Sequence, residues 1–293
     1  MIRTVLNLHF IWKALWAGVA PWRFFQLNAP YFNDEKGYFS KLDIEQYIPN
    51  RWRLKSINFP LDMDISEIKQ VLLDTYQYPF FLKPEWGQNG YGVFRIRDTK
   101  ELNEALMIIE QSHIPYFAQE AGEDVCEFEI FYVRCPKSDN EAAVFSVAES
   151  RSYAGESLPV HSVHHGTRYH DMTDEFSYLE IKKVLEHVLS IGSFRMARVG
   201  VKADSKEALI EGKFQVIEIN LFTPMPLNLL DLNQSWRVKR MFIWELSQAL
   251  VNAVHELPKG ADKSIFWKKT KMHYKVKKLS SFLSSPNELG SDI

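Results

Sequence analysis

The stretch "YPFFLKPEWGQNGYGVFRIRD", residues 78–98, constrains the fold more tightly than any other part of this chain. Two apolar, aromatic runs, "PFFLKP" and "YGVFRIR", are separated by a loop with glycines at 87, 90 and 92. Short runs rich in Phe, Val and Ile, joined through glycine, read as strands that pair back on one another. Helices flank them. "DISEIKQVLLDTY" (64–76) opens on Asp64 with Glu67 three residues on, and "DTKELNEALMIIEQ" (98–111) repeats the pattern with Asp98 and Glu101. An acceptor followed by an acid at that spacing satisfies the free N–H groups of a first helical turn. Helix, hairpin, helix in this order breaks the strict βαβ alternation of a parallel sheet, so the expected class is α+β with mostly antiparallel sheets.

The remaining chain extends that pattern. Ser40 caps a short helix over 40–48, and residues 51–57 alternate like a strand. Strands are expected at 116–120, 127–134, 142–149, 197–203 and 213–220, and helices at about 174–191 and 235–256. The polar, aperiodic segment 150–173 reads as a long loop. Near the start, Val5, Leu8, Trp12, Leu15 and Trp16 recur at helical spacing. His9 and Lys13 interrupt that run and no small-residue cleavage site follows, which argues against a secretory signal or a spanning helix. The helix is expected to dock on the body, on a second copy or on a partner chain; a membrane-surface role is the alternative.

Composition sets outer limits. With 293 residues and 46% hydrophobic, the chain can build a core without staples. Its 35 Lys and Arg against 37 Asp and Glu give no bias toward nucleic acid. Cys126 and Cys135, the two cysteines, suit a reducing compartment, so a cytoplasmic protein is expected. Three segments follow: 1–60, a short N-terminal piece; 61–260, the main domain; and 261–293, a basic tail. In the tail, "ADKSIFWKKTKMHYKVKKL" fits either a solvated face or an anionic partner, and "SSFLSSPNELGSDI" is expected to be disordered.

Three stretches carry chemistry. Glycines at 87, 90 and 92 let backbone N–H groups turn toward an anion, and Lys83 beneath them adds a point charge. The same spacing also fits a plain hairpin with a lysine at its edge. In "YFAQEAGEDVCEFEIFYV" (116–133), Gln119 and Glu120 end one strand and Glu127 starts the next. Carboxylates there suit hydroxyl or amine recognition, or else a charged turn. In "FQVIEIN", alternation turns Glu218 and Asn220 to one face, and hard oxygens so spaced suit Mg²⁺. The preceding strand sets Arg198, Gly200 and Lys202 on one face, a cationic row if the two strands pair. His161, His164, His165 and His170 are four of the nine histidines. Their spacing permits zinc, although no acidic or cysteine pattern accompanies them.

In this order, the lysine–proline before a glycine loop, the acidic connection and "IEIN" resemble the ATP-grasp superfamily, in particular its D-alanine–D-alanine ligase-like carboxylate–amine ligases. The resemblance covers about residues 36–255. It implies two α+β lobes enclosing a nucleotide, with a truncated N-terminal domain. It makes Lys41 and Lys83 ATP-phosphate lysines and Gly87, Gly90 and Gly92 a lid over the phosphates. Gln119 and Glu120 fall at the adenine hinge, Glu127 at the ribose, Glu218 and Asn220 on Mg²⁺, and Arg198 on the transferred phosphoryl group. ATP would then activate a carboxylate as an acyl phosphate for attack by an amine. Positioning and charge neutralisation carry such chemistry, without a protein nucleophile.

Two departures qualify the expectation. Where the family has an aspartate two residues after the arginine, this chain has Gly200, and Asp204 lies about 13 Å further along an extended strand. Only about forty residues precede Lys41, too few for the usual first domain, so the substrate site is expected to be open or completed by a partner. A bulky substrate, a peptide or protein included, fits that. The alternative is a weak or inactive nucleotide-binding or regulatory protein; a kinase-like phosphotransferase is a more distant third.

Overall fold

A computed structural model describes residues 2–86, 90, 92–112, 114–122, 126–152, 167–258 and 264–271. Gly87, His161, His164, His165 and the tail beyond 271 lie outside the described residues. The described residues form two antiparallel sheets. Helix α1 (Ile2–Trp16) leads through tight turns to α2 (Lys41–Glu45), β1 (Ser56–Asn58) and α3 (Ile65–Thr75). Then come β2 (Phe80–Pro84), β3 (Phe94–Ile96), α4 (Thr99–Ser112) and β4 (Tyr116–Glu120), which complete a four-stranded sheet ordered β1-β4-β2-β3. The capping signals of the sequence are used: Asp64 accepts from Ser66 N at 2.8 Å, and Asp98 from Glu101 N at 2.9 Å.

The second sheet is larger, ordered β7-β6-β5-β8-β9. Its strands are β5 (Cys126–Arg134), β6 (Ala142–Ser152), β7 (Thr167–Asp171), β8 (Met196–Ala203) and β9 (Gln215–Asn220). Helices α5 (Tyr178–Leu189) and α6 (Lys206–Ile210) interrupt them, and α7 (Trp236–His255) follows. One face of this sheet, with Phe128, Ile130, Val199, Val201 and Val216, packs with buried residues of α5 and α6. Each such side chain contributes roughly 1.5–3 kcal/mol on burial. A one-residue slip would drive Glu129 and Arg198 into that core, so the register is fixed by the alternation itself. The opposite face is divided. Phe131, Val133, Val144 and Met196 pack with α1 and α7, and the remainder is polar.

Three expectations need correcting. Of segment 51–57 only Ser56 and Ile57 are strand, the start of β1, because Trp52 turns into the core instead. It stacks on Phe214 at 4.8 Å, and Arg53 makes an isolated parallel bridge to Val216. Residues 153–166 of the expected loop 150–173 lie outside the described residues, and both its ends are strand: β6 runs to Ser152, and β7 pairs with it over Thr167–Asp171. That strand buries only Tyr169, which left little periodicity to read. In α1 the expected stripe faces outward. Leu6, Phe10 and Ala14 are buried, whereas Leu8, Trp12, Leu15 and Trp16 are exposed. Among the described residues no helix is long and apolar enough to cross a membrane.

Candidate functional site

The β2 pleat buries Phe80, Leu82 and Pro84 in the small lobe and leaves Lys83 on the face that looks toward the second sheet. This explains why a buried strand carries a lysine near its end. Lys83 Nζ donates to Gln119 Oε1 (2.5 Å) and, across the gap, to the Ile217 carbonyl of β9 (3.3 Å). Gln119 in turn donates to Glu45 Oε1 at 2.7 Å, so it is a positioning partner of the lysine. Lys41 opens α2, where Ser40 Oγ accepts from Asp43 N. Its Nζ donates to the Pro84 carbonyl at 3.1 Å. Glu85 anchors this corner, accepting from Lys36 (2.5 Å), Ser40 (2.5 Å) and Tyr38 (3.0 Å).

Burial lowers Lys41 to about 8, and the charges of Lys83 and Lys269 press the same way against the opposing pull of Glu218 and Glu45. Lys83 is also lowered, first by burial, with Lys202 adding and Glu218, Glu45 and Glu127 opposing. Lys269, from a helix over 265–271, is brought down to about 8 by burial. Lysines crowded together out of water until they hold their protons weakly are suited to binding a polyanion, which would return them to full charge.

On the second sheet, cross-strand partners set the geometry. Glu127 pairs with Lys202; Glu129 with Gly200 and Gly200 with Glu218; Phe131 with Arg198 and Arg198 with Asn220. Directly paired residues share a face, so these side chains converge. Arg198 Nη2 donates to Glu218 Oε1 (3.2 Å), and its Nε lies 3.0 Å from Glu129 Oε2. Asn220 Nδ2 donates to Glu218 Oε1 at 2.7 Å. Burial pushes Glu129 up to about 8, Arg198 opposing and Glu218 adding. Glu218 is pushed up by burial too, but Arg198, Lys41 and Lys83 outweigh that and hold it below the usual carboxylate range. Burial and then the charge of Glu218 raise Glu127.

The structure thus brings Lys41, Lys83, Arg198, Glu218 and Asn220 to one place, with Glu127 at its margin. Glu120 is held differently, its Oε1 accepting from Lys55 N at 2.8 Å at the end of β4. Gly90 and Gly92 both adopt φ of 72°, the conformation that needs glycine. Lys202 donates to the Gly122 carbonyl at 3.1 Å, and its charge acts on both Lys83 and Glu127. Asp204 is exposed beyond the strand and does not substitute for Gly200. His170 is engaged structurally, between Glu175 (3.0 Å) and Asp231 (3.5 Å).

Sequence reading missed Glu129, Glu45 and Lys269. The first was detectable: in "CEFEIFYV" alternation sets Glu129 on the face of Glu127, within a strand otherwise apolar. Nothing local marked Lys269.

An apolar cavity of about 720 Å³ adjoins the cluster, lined by Leu6, Phe10, Phe25, Phe131, Met196 and Met225 among others. Phe131 is the ladder partner of Arg198, and the Met225 carbonyl accepts from Arg198 Nη1 at 3.3 Å.

No protein-family model matches the chain, and no curated protein matches it. Among solved structures it is similar to the VanG D-Ala:D-Ser ligase from Enterococcus faecalis, at 14% identity and a TM-score of 0.50. The match covers 74% of this chain and 61% of that one, so the chain spans about three-fifths of that ligase's length. It is also similar to D-alanine–D-alanine ligase from Bacillus anthracis complexed with ATP, at 14% identity and a TM-score of 0.49, covering 79% and 67%. A third is the ATP-grasp ligase PsnB complexed with a precursor variant, Mg and ADP, at 13% identity and a TM-score of 0.46, covering 73% and 58%. The fold is that of the ATP-grasp ligases. Likeness at this identity concerns fold alone, so the fit of nucleotide and metal rests on this chain's own residues. Within the ATP-grasp frame, Lys41, Lys83 and Lys269 suit polyphosphate. Two carboxylates and an amide suit Mg²⁺, and Glu129 Oε2 is a buried oxygen with no hydrogen-bond partner. Among the described residues no three His, Cys, Asp or Glu converge on one point, so phosphate oxygens would complete the coordination.

Proposed function

We propose that this chain uses Mg-ATP to activate a carboxylate as an acyl phosphate and joins it to an amine. The observation that carries this reading is the bond from Lys83 to the Ile217 carbonyl, which brings the small lobe's lysine beside Glu218 on the other sheet. Lys41, Lys83 and Lys269 bind and neutralise the phosphates, while Arg198 steadies the group in transfer. Gly90 and Gly92 let backbone N–H groups turn toward it. Glu120 and Glu127 hold the base and sugar. Glu218 and Asn220 would hold Mg²⁺, which would supply positive charge to offset that developing on the phosphoryl group. The apolar cavity beside Arg198 seats the body of a bulky, apolar carboxylate or amine. Two free thiols fit a reducing, cytoplasmic setting.

Mg-ATP is expected to raise the melting temperature by linkage, and Lys83→Ala to abolish the rise. No rise in the native chain would refute nucleotide binding. ADP release should then be stimulated by aromatic or aliphatic carboxylate–amine pairs over small polar ones. Nucleotide binding without release on any pair would leave a nucleotide-binding regulator as the better reading.

A further inference from the structure

Gly200 sits at the centre of the polar face, flanked on one side by Glu129 and on the other by Glu218. It is the position from which an acid would most directly serve a second cation. A Cβ placed there would lie 3.1 Å from Glu218 Cγ, 3.3 Å from Ile217 Cγ1 and 3.4 Å from Glu129 Oε1. The space an aspartate would enter is therefore already bordered by a carboxylate from the neighbouring strand. Glutamate has one methylene more than aspartate, and paired residues stand about 5 Å apart across a ladder. The longer arm can lean over a bare Cα, and only glycine leaves that Cα bare.

Glu129 is otherwise hard to account for. Its side chain is only 6% exposed. Its Oε2 approaches Arg198 Nε at 3.0 Å without the alignment of a hydrogen bond, so a buried carboxylate oxygen receives no hydrogen-bond donor. Arg198 divides its guanidinium between Glu129 and Glu218. Lys41 and Lys83 add positive charge beside Glu218, whereas Glu129 is set against the arginine it shares, through an oxygen that receives no aligned donor, so its charge balance is incomplete. A second divalent cation would complete it.

We propose that Glu129, reaching across from β5, supplies the carboxylate for a second divalent-cation position beside Glu218, where β8 offers only Gly200. This rests on the nucleotide-binding reading. It adds that Glu129 and Gly200 are one exchangeable unit, in which the acid has moved one strand sideways rather than been lost.

The test is Mn²⁺ binding to the full chain in the presence of ADP, counted by the loss of the free-ion EPR signal. The native chain should bind two Mn²⁺ per chain. Glu129→Gln, which keeps the shape and removes the charge, should bind one tightly, with the second weakened at least tenfold. The swap Glu129→Ala with Gly200→Asp should restore the second ion. Gly200→Asp alone should not strengthen it, because a third acid would crowd Glu218 and Glu129. Two ions retained in Glu129→Gln, or a single ion in the native chain with ADP bound normally, would assign Glu129 to holding Arg198 and overturn the proposal. In both those cases the nucleotide-binding reading stands. If ADP fails to bind the native chain, that reading falls and the proposal with it.

Discussion

On the proposed reading, the lysines facing Glu218 make nucleotide binding a protonation event, and its pH dependence can be worked out in advance. Lys41 and Lys269 each titrate near 8 in the free protein, against 10.5 for an ordinary lysine. Lys41 is faced by Glu218, Lys83, Lys269 and Glu45, so two positive and two negative charges surround it. Phosphate favours the charged form and restores the ordinary value, so binding takes up protons and weakens as pH rises through 8. Between pH 7 and pH 9 the protonated share of such a group falls about tenfold, so affinity falls about tenfold per lysine and about a hundredfold for both. ATP itself changes little, since its terminal phosphate is largely ionised by about pH 7. Calorimetric titration at pH 8 in buffers of differing ionisation heat should show uptake of about one proton, half from each lysine. Substituting methionine at positions 41 and 269 together should weaken binding at pH 7 and flatten the profile. Affinity independent of pH between 7 and 9 in the native chain, or an unchanged slope in the double variant, would refute the reasoning.

Two stability predictions follow from buried polar groups outside the cluster. Asn28 is buried and stitches strand ends together, donating to the Met196 and Leu221 carbonyls (2.6 and 2.9 Å) and accepting from Arg195 N (3.0 Å). Asn28→Ala should cost about 2–4 kcal/mol in urea unfolding, because it leaves backbone groups unpaired; a loss below about 1 kcal/mol would show that water replaces the amide. Arg134 donates to the carbonyls of Phe194 (3.0 Å), Leu189 (3.0 Å) and Gly192 (2.6 Å), and also to Asp139. Arg134→Lys keeps the charge but not the fork, and should cost about 2–3 kcal/mol by the same assay.

Much of this architecture was legible because it is written in local signals. Capping acids fixed α3 and α4, and alternation fixed β4, β5 and β8 and the shared facing of Glu218 and Asn220. In β9 a register shift opposite Gly200 and Val201 breaks the alternation and puts Val216 on the core face with Ile219, not with Glu218. What escaped was decided by tertiary contact. Trp52 left its expected strand because a stacking partner, Phe214, comes from 162 residues later in the chain. The apolar side chains of α1 cover nearly the whole helix surface, so periodicity could not say which side the body would take. Lys269 lies in a run of basic residues where no pattern separates a buried lysine from a solvated one. Gly200 read as a gap because the reading followed one strand at a time, whereas the relevant neighbour, Glu129, is adjacent only through hydrogen-bonded pairing.

The union of α1 with α7 also has a consequence for how the chain is made. Lys13 donates to the Trp244 carbonyl at 3.0 Å, 231 residues away in sequence. At synthesis rates of about 5–20 residues per second, α1 emerges roughly 10–45 s before the helix that covers it. Throughout that interval Leu6, Phe10 and Ala14 lack their native cover, while Leu8, Leu15 and Trp16 on the other side stay exposed within the described fold. A nascent chain with apolar surface on both sides of its first helix is an obvious client for a holding chaperone. Its yield on expression should depend more on that waiting time than on the stability of the finished protein.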